Sequence, residues 1–257
     1  VARATKRRLA VPGGHVAALE WTPGAQHGAA GTTDATTASG TVRVEPKPPP
    51  TVLLLHVWGS HAARFGSFVD PLLAAGYRVV GIDAPAHGES TGKRSDLAQF
   101  RAALRLALQE FAPVVGIVAH SMGASAAVWQ LAEEPHAELR ALALLGMPRD
   151  VGYMMESFAL ILDLRADVKR RLIDQFTRRF GDPPSAFSAH RFAARLGVPT
   201  LVVHDEEDDV APLEHAVEFA ALTPGGLLRT TRGLNHSGAL RDAAIIDEIV
   251  AFLGARN

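Results

Sequence analysis

The sequence predicts an α/β protein: a mostly parallel, doubly wound sheet with an N-terminal antiparallel hairpin and a helical lid. Three observations lead there. Short apolar runs alternate with longer stretches of helical periodicity from residue 52 to residue 253. Each run is apolar almost throughout rather than at every second position, as strands covered on both faces require. A Pro-Gly-Gly break at residues 12–14 splits two short extended segments at the start of the chain, as a hairpin would.

Taken in order, residues 7–11 and 15–21 form the hairpin. Residues 22–50, rich in Gly, Ala, Thr and Pro, bury too little apolar surface to offset their ordering entropy and read as a flexible surface loop, with a brief strand at 42–44. Strand–helix pairs then follow at 52–57 with 62–75, 79–83 with 96–111, 114–119 with 124–132, 200–204 with 213–222, and 227–231 with 243–253; a further strand lies at 142–145. In the second helix Ser95 is the expected N-cap. There Leu97, Phe100, Leu104, Ala107, Leu108 and Phe111 recur at three- and four-residue spacing, so that face packs on the sheet while Arg101, Arg105 and Gln109 face solvent. Residues 147–197 carry helical periodicity (Met154, Met155, Phe158, Ile161, Leu162, then Leu172, Ile173, Phe176, Phe180) that fits neither a strand nor one crossover helix. A helical lid is expected there, although packing of extra helices on the core accounts for the same residues. The 257 residues suit a single domain, 1–257.

Composition narrows the chemistry. The 26 Lys and Arg offset the 27 Asp and Glu, so the cationic surface that nucleic acid requires is missing. No cysteine is present, which excludes a thiolate nucleophile, and no paired-His spacing marks a metal. No cofactor and no metal are expected. The first residues carry Arg3, Lys6, Arg7 and Arg8 with no apolar segment behind them, and no stretch approaches the ~20 apolar residues of a membrane span. Cytoplasmic location is the default expectation; because the chain begins with Val1, an export signal removed earlier is compatible with it.

The apolar run ending at His120 meets Ser121 and then the small-residue stretch Met122-Gly123-Ala124-Ser125-Ala126-Ala127. A serine on such a strand-to-helix turn needs small neighbours two positions either side, because the strained turn brings adjacent chain close. Ala119 and Gly123 meet that need, and Ser125 falls inside the helix as a packing residue. The pattern Ala119-His120-Ser121-Met122-Gly123 resembles Gly-x-Ser-x-Gly of the α/β-hydrolase family. His56-Val57-Trp58-Gly59-Ser60 resembles that family's oxyanion segment, and Gly81-Ile82-Asp83-Ala84-Pro85-Ala86-His87-Gly88-Glu89-Ser90 its next strand and loop. Val57, Ala86 and Asn235 stand where the family usually has glycine. A β-branched residue at positive φ would cost on the order of 1 to 3 kcal/mol at position 57.

The resemblance covers most of the chain from 52 to 253 and implies a nucleophile, base and acid in that fold's order. Ser121 is the nucleophile, and His236 in Gly233-Leu234-Asn235-His236-Ser237-Gly238, after the last strand, is the base. Composition does not choose among the five carboxylates Asp205-Glu206-Glu207-Asp208-Asp209. The family's pattern, four residues after a strand-end His and four before a Pro, selects Asp208 from His204 and Pro212, with Asp205 and Asp209 as alternatives. By resemblance the oxyanion donors are the backbone N–H groups of Trp58 and Met122. His56, His87 and His120 are read as bracing the turns they occupy, and the remaining histidines as exposed.

The implied activity is carboxylic-ester hydrolysis through an acyl-enzyme on a small or medium apolar acyl substrate. Thioesterase, lipase and C–C hydrolase chemistry share the triad, and a binding protein without turnover is the alternative of a different class. Imidazole works as a base only when neutral, so activity is expected to rise with pH through roughly 6.5, the ordinary histidine range.

Overall fold

A computed structural model describes residues 3–24 and 48–255 of the chain. The expected loop therefore lies, over 25–47, outside the described residues, and the brief strand at 42–44 with it. Eight strands form one sheet: β1 (Thr5–Val11), β2 (Gly14–Trp21), β3 (Thr51–Leu55), β4 (Arg78–Ile82), β5 (Val114–His120), β6 (Ala141–Leu145), β7 (Thr200–Asp205) and β8 (Leu227–Thr231). Their order is β1-β2-β4-β3-β5-β6-β7-β8, with β1 and β2 antiparallel and β3 to β8 parallel. The chain reverses winding direction at β3, so the carboxyl ends of β3 and β5 lie side by side at a switch point, where such sheets place their sites.

Helices cover both faces. They are α1 (Gly66–Ala74), α2 (Leu97–Glu110), α3 (Met122–Glu133), α4 (Val151–Ile161), α5 (Ala166–Phe180), α6 (Ala189–Ala193), α7 (Leu213–Leu222), α8 (Asn235–Gly238) and α9 (Ala243–Gly254). Strands β3, β5, β6 and β7 are buried along their whole length, as their unbroken apolar runs require. One core joins α2, α3 and α7 to the sheet through Leu104, Leu131 and Phe219; the other joins α1 and α9 through Phe68, Leu72 and Ile249. Burying side chains such as Leu104 or Phe68 completely is worth about 1.5 to 3 kcal/mol each. Among the described residues no helix is long and apolar enough to cross a membrane.

Two local expectations need correction. The N-cap of α2 is Asp96, whose carboxylate accepts from the Gln99 N–H at 3.0 Å, whereas Ser95 Oγ is buried without a partner. Asp96 directly precedes the first helical residue, Leu97, with an extended backbone, φ −151°, from which its side chain reaches the N3 amide. Arg101 is not simply solvated: it packs 4.6 Å over the Trp129 ring and pairs with Glu133 and Glu134, joining α2 to α3. Between β6 and β7 lie α4, a surface helix α5 with no buried residue, and α6. Met154, Met155 and Phe176 pack on a small third cluster around Phe100 and Val151, while Leu160, Ile161 and Leu162 at the end of α4 stand exposed.

Candidate active site

The central strand β5 delivers Ser121 at a sharp turn. Its φ of 54° and ψ of −114° are strained for a residue with a Cβ, and the Ser121 N–H is held by the Leu145 carbonyl at 2.9 Å. The turn depends on small neighbours. A Cβ on Gly123 would lie 2.7 Å from the carbonyl oxygens of both Leu55 and His56, so only glycine lets α3 begin against the end of β3. Ala119 is fully buried in the core, where its methyl is accommodated.

His236 is the second residue of α8, just past β8. The preceding Asn235 takes φ 53°, a left-handed conformation that asparagine tolerates better than most residues. The ring Nδ1 lies 2.8 Å and 3.0 Å from the two carboxylate oxygens of Asp208. That contact assigns the Nδ1 proton and leaves Nε2 with its lone pair. Nε2 is buried and makes no hydrogen bond, so the Ser121 hydroxyl is not bonded to it here. The ring sits against Gly146, where a Cβ would come within 3.1 Å of Cε1, and 4.7 Å between centroids from His120.

Asp208 is almost wholly buried, and its Oδ1 also accepts from the Val210 and Ala211 N–H groups at 2.8 Å each. Burial alone would raise its pKa. The hydrogen bond and charge of His236, with the two N–H groups, outweigh that and hold it below the ordinary carboxylate value. The two alternative acids lie elsewhere: Asp205 accepts from Thr231, Leu234 and Glu207, and Asp209 is exposed. His204 donates from Nε2 to the Ala211 carbonyl at 2.7 Å, bracing the same turn.

Three more histidines hold the surrounding backbone. His120 Nε2 donates to the His236 carbonyl at 2.8 Å. His56 donates to the Val57 carbonyl at 2.6 Å and accepts from the Ala84 N–H at 3.0 Å. His87 donates to the Pro85 carbonyl and accepts from the Gly59 N–H at 2.9 Å. Burial lowers the pKa of His56 to about 4 and of His120 to about 3, so both are neutral braces near pH 7. The loop 57–59 is thereby stapled to 84–87. Val57 does not take a positive φ; Gly59 does, at 75°, and the strain foreseen at 57 falls on Ala86, at φ 61°.

Neither the Trp58 nor the Met122 backbone N–H donates to another group among the described residues. The Trp58 ring is half exposed and meets His87 and Phe158 edge-on at 6.1 Å and 5.9 Å. One histidine expected on the surface is buried: His215 lies under the Tyr153 ring and accepts the Arg149 N–H, a tertiary contact that helical spacing in α7 does not reveal. The His120 bond to the His236 backbone is likewise invisible in sequence, being formed across 116 residues. Among the described residues no group of three or more His, Asp or Glu is placed to hold a metal ion.

Residues 46–179, about half of the chain, match the family described as serine aminopeptidase, S33. A 2-hydroxy-6-oxononadienedioate/2-hydroxy-6-oxononatrienedioate hydrolase of Cupriavidus pinatubonensis (strain JMP 134 / LMG 1197) is 26% identical over 255 residues, spanning 79% of this chain and 86% of that protein. Solved structures with the same fold include Est1E from Butyrivibrio proteoclasticus with ferulic acid bound (TM-score 0.71, 17% identity, 97% of this chain and 96% of that one). The esterase RhEst1 from Rhodococcus sp. ECU1013 aligns over 100% of both chains at TM-score 0.68 and 17% identity.

Proposed function

Because the chain belongs to the S33 serine aminopeptidase family of α/β-hydrolases, and is a hydrolase, we propose that it is a serine hydrolase cleaving carboxylic esters through an acyl-enzyme on Ser121. One observation carries the reading: a histidine nitrogen, Nε2 of His236, is buried and uncommitted beside the strained Ser121 turn, while Asp208 holds the opposite nitrogen. In the reaction, His236 Nε2 takes the Ser121 proton as Oγ adds to the ester carbonyl. Asp208 keeps the tautomer and stabilises the imidazolium. The oxyanion is received by the Trp58 and Met122 N–H groups, and His236 returns the proton to the leaving alcohol. Water, deprotonated by His236, then cleaves the acyl-serine and releases the acid. The Ser121–His236 hydrogen bond is of the kind that tightens when a substrate is bound.

Helix α6 packs in the core, whereas α4 is read as the part of the expected lid that reaches this site, because its Phe158 ring meets the Trp58 ring edge-on. The half-exposed Trp58 and Phe158 beside it support an apolar acyl group. The test is turnover of p-nitrophenyl esters from acetate to palmitate, beside fluorophosphonate labelling. Ser121→Ala is expected to lower kcat by at least about a thousandfold and to abolish labelling; turnover surviving in that variant would sink the assignment. Wild-type protein that binds a ligand but neither labels nor turns over any substrate favours a binding protein instead. The Cupriavidus relative favours a second reading, hydrolysis of a carbon–carbon bond, with the same three residues. A kcat/KM on 2-hydroxy-6-oxononadienedioate exceeding that on every ester would select it.

A further inference from the structure

Asp205 is a buried carboxylate that the mechanism above does not use. It is the last residue of β7, in register with Thr231 at the end of β8. Its two oxygens point to two different turns. Oδ1 accepts from the Glu207 N–H at 3.0 Å, one residue before Asp208. Oδ2 accepts from Thr231 Oγ1 at 2.7 Å and from the Leu234 N–H at 3.0 Å, two residues before His236. The backbone ladder between the strands runs out at this point, in a bond from the Glu206 N–H to the Thr231 carbonyl.

We infer that Asp205 is a positioning residue, a single carboxylate that ties the Asp208 turn to the His236 turn and so sets the geometry between acid and base. The inference rests on the roles proposed for Asp208 and His236 and adds a group that touches neither substrate nor imidazole. An exposed ion pair, Arg232 with Glu206 at 2.9 Å, spans the same segments, but at the surface such a pair is worth little. Burial alone would raise the Asp205 pKa; hydrogen bonds from Thr231, Leu234, Glu207 and Asn235 outweigh it and keep the carboxylate ionised. An ionised carboxylate accepts on both oxygens. An asparagine presents one acceptor and one NH2, so whichever way it turns it sets a donor against a donor on one of the two turns.

The experiment compares Asp205→Asn, Thr231→Val and Glu206→Gln with wild type. A displacement of the base by a fraction of an ångström to about 1 Å is expected to lower kcat for the best ester about tenfold to a hundredfold in Asp205→Asn, with KM unchanged within about threefold. A structural loss alone would not move the second readout, the proton NMR resonance of the His236 Nδ1–H shared with Asp208. It is expected to shift or broaden in Asp205→Asn while the urea midpoint still reports a folded protein. Glu206→Gln is expected to leave both readouts at wild-type values. Recording the resonance in a Ser121→Ala background separates this proposal from the catalytic one, because the His236–Asp208 contact persists whether or not Ser121 is the nucleophile. Wild-type kcat or an unmoved resonance in folded Asp205→Asn overturns the proposal. Should that variant not fold, Thr231→Val decides: removing one of the Oδ2 donors is expected to give a smaller shift and a severalfold lower kcat, and no change in either overturns it.

Discussion

Four non-glycine residues hold a positive φ among the described residues, Ala86, Ser121, Asp163 and Asn235, and three of them flank the proposed chemistry. Their costs differ. Asn235 has an asparagine's tolerance of that region, whereas Ala86 has a Cβ and no compensating side-chain hydrogen bond. Ala86→Gly is therefore expected to stabilise the protein by about 0.5 to 1 kcal/mol, measured as a higher urea midpoint; an unchanged or lower midpoint would mean the strain is not felt there. Gly123 works the other way. Gly123→Ala would place a methyl 2.7 Å from two backbone oxygens that cannot move without distorting β3, and a loss above about 3 kcal/mol with collapse of esterase activity is expected by denaturant titration and assay. Asp208→Asn keeps the shape of the turn but removes the acceptor that fixes the His236 tautomer, and a fall in kcat of roughly 10^3- to 10^4-fold is expected with a nearly unchanged circular-dichroism spectrum. At this scale sequence was a good guide to steric demands, such as the small residues at 119 and 123. It left open whether position 57 takes a positive φ; Val57 does not, and the left-handed turn falls on Gly59, whose amide donates to His87.

Helix α2 shows which local interaction governs an element. Asp96 both caps it, through the Gln99 amide, and pairs with Arg179 of α5 at 2.7 Å. The cap is worth about 1 kcal/mol, whereas an ion pair whose arginine is half exposed contributes a few tenths. Asp96→Ala is expected to cost about 1 kcal/mol by urea titration and Arg179→Ala less than about 0.5 kcal/mol; equal losses would show that the bridge to α5, not the cap, holds the helix start. The strands and the long helices of the sheet were legible because a buried strand is apolar throughout and a packed helix repeats every three to four residues. The segment between β6 and β7 was legible as helical but not as three separate helices: α5 lies at the surface without a fully buried residue, and its apolar stripe, Phe176 and Phe180, packs on Phe187 rather than on the sheet.

At the scale of the molecule, two histidines buried as neutral braces couple the fold to pH. The pKa values of His56 and His120 are lowered, to about 4 and about 3, so the unfolded chain binds protons below about 6.5 that the folded one refuses. Stability is therefore expected to fall as pH drops below about 6.5, by up to about 1.4 kcal/mol per pH unit for each histidine, until their folded values are reached. Asp208, held below the ordinary carboxylate value, adds its own loss only further into acid, as pH falls through its folded value. Urea midpoints at pH 7, 6 and 5 check this, and a midpoint flat over that range would contradict it. The sequence by itself determined the order of strands and helices, the strained serine turn and the stretch that supplies a histidine after the last strand, because each is written in short-range periodicity and side-chain size. Composition left five neighbouring carboxylates open and resemblance pointed to Asp208; only the tertiary structure showed that Asp208 is the one that meets His236 and what the others do. That choice is made by the parallel register of β7 on β8 and by turns held through bonds between residues distant in the chain, and no local pattern encodes the direction in which two such turns face each other.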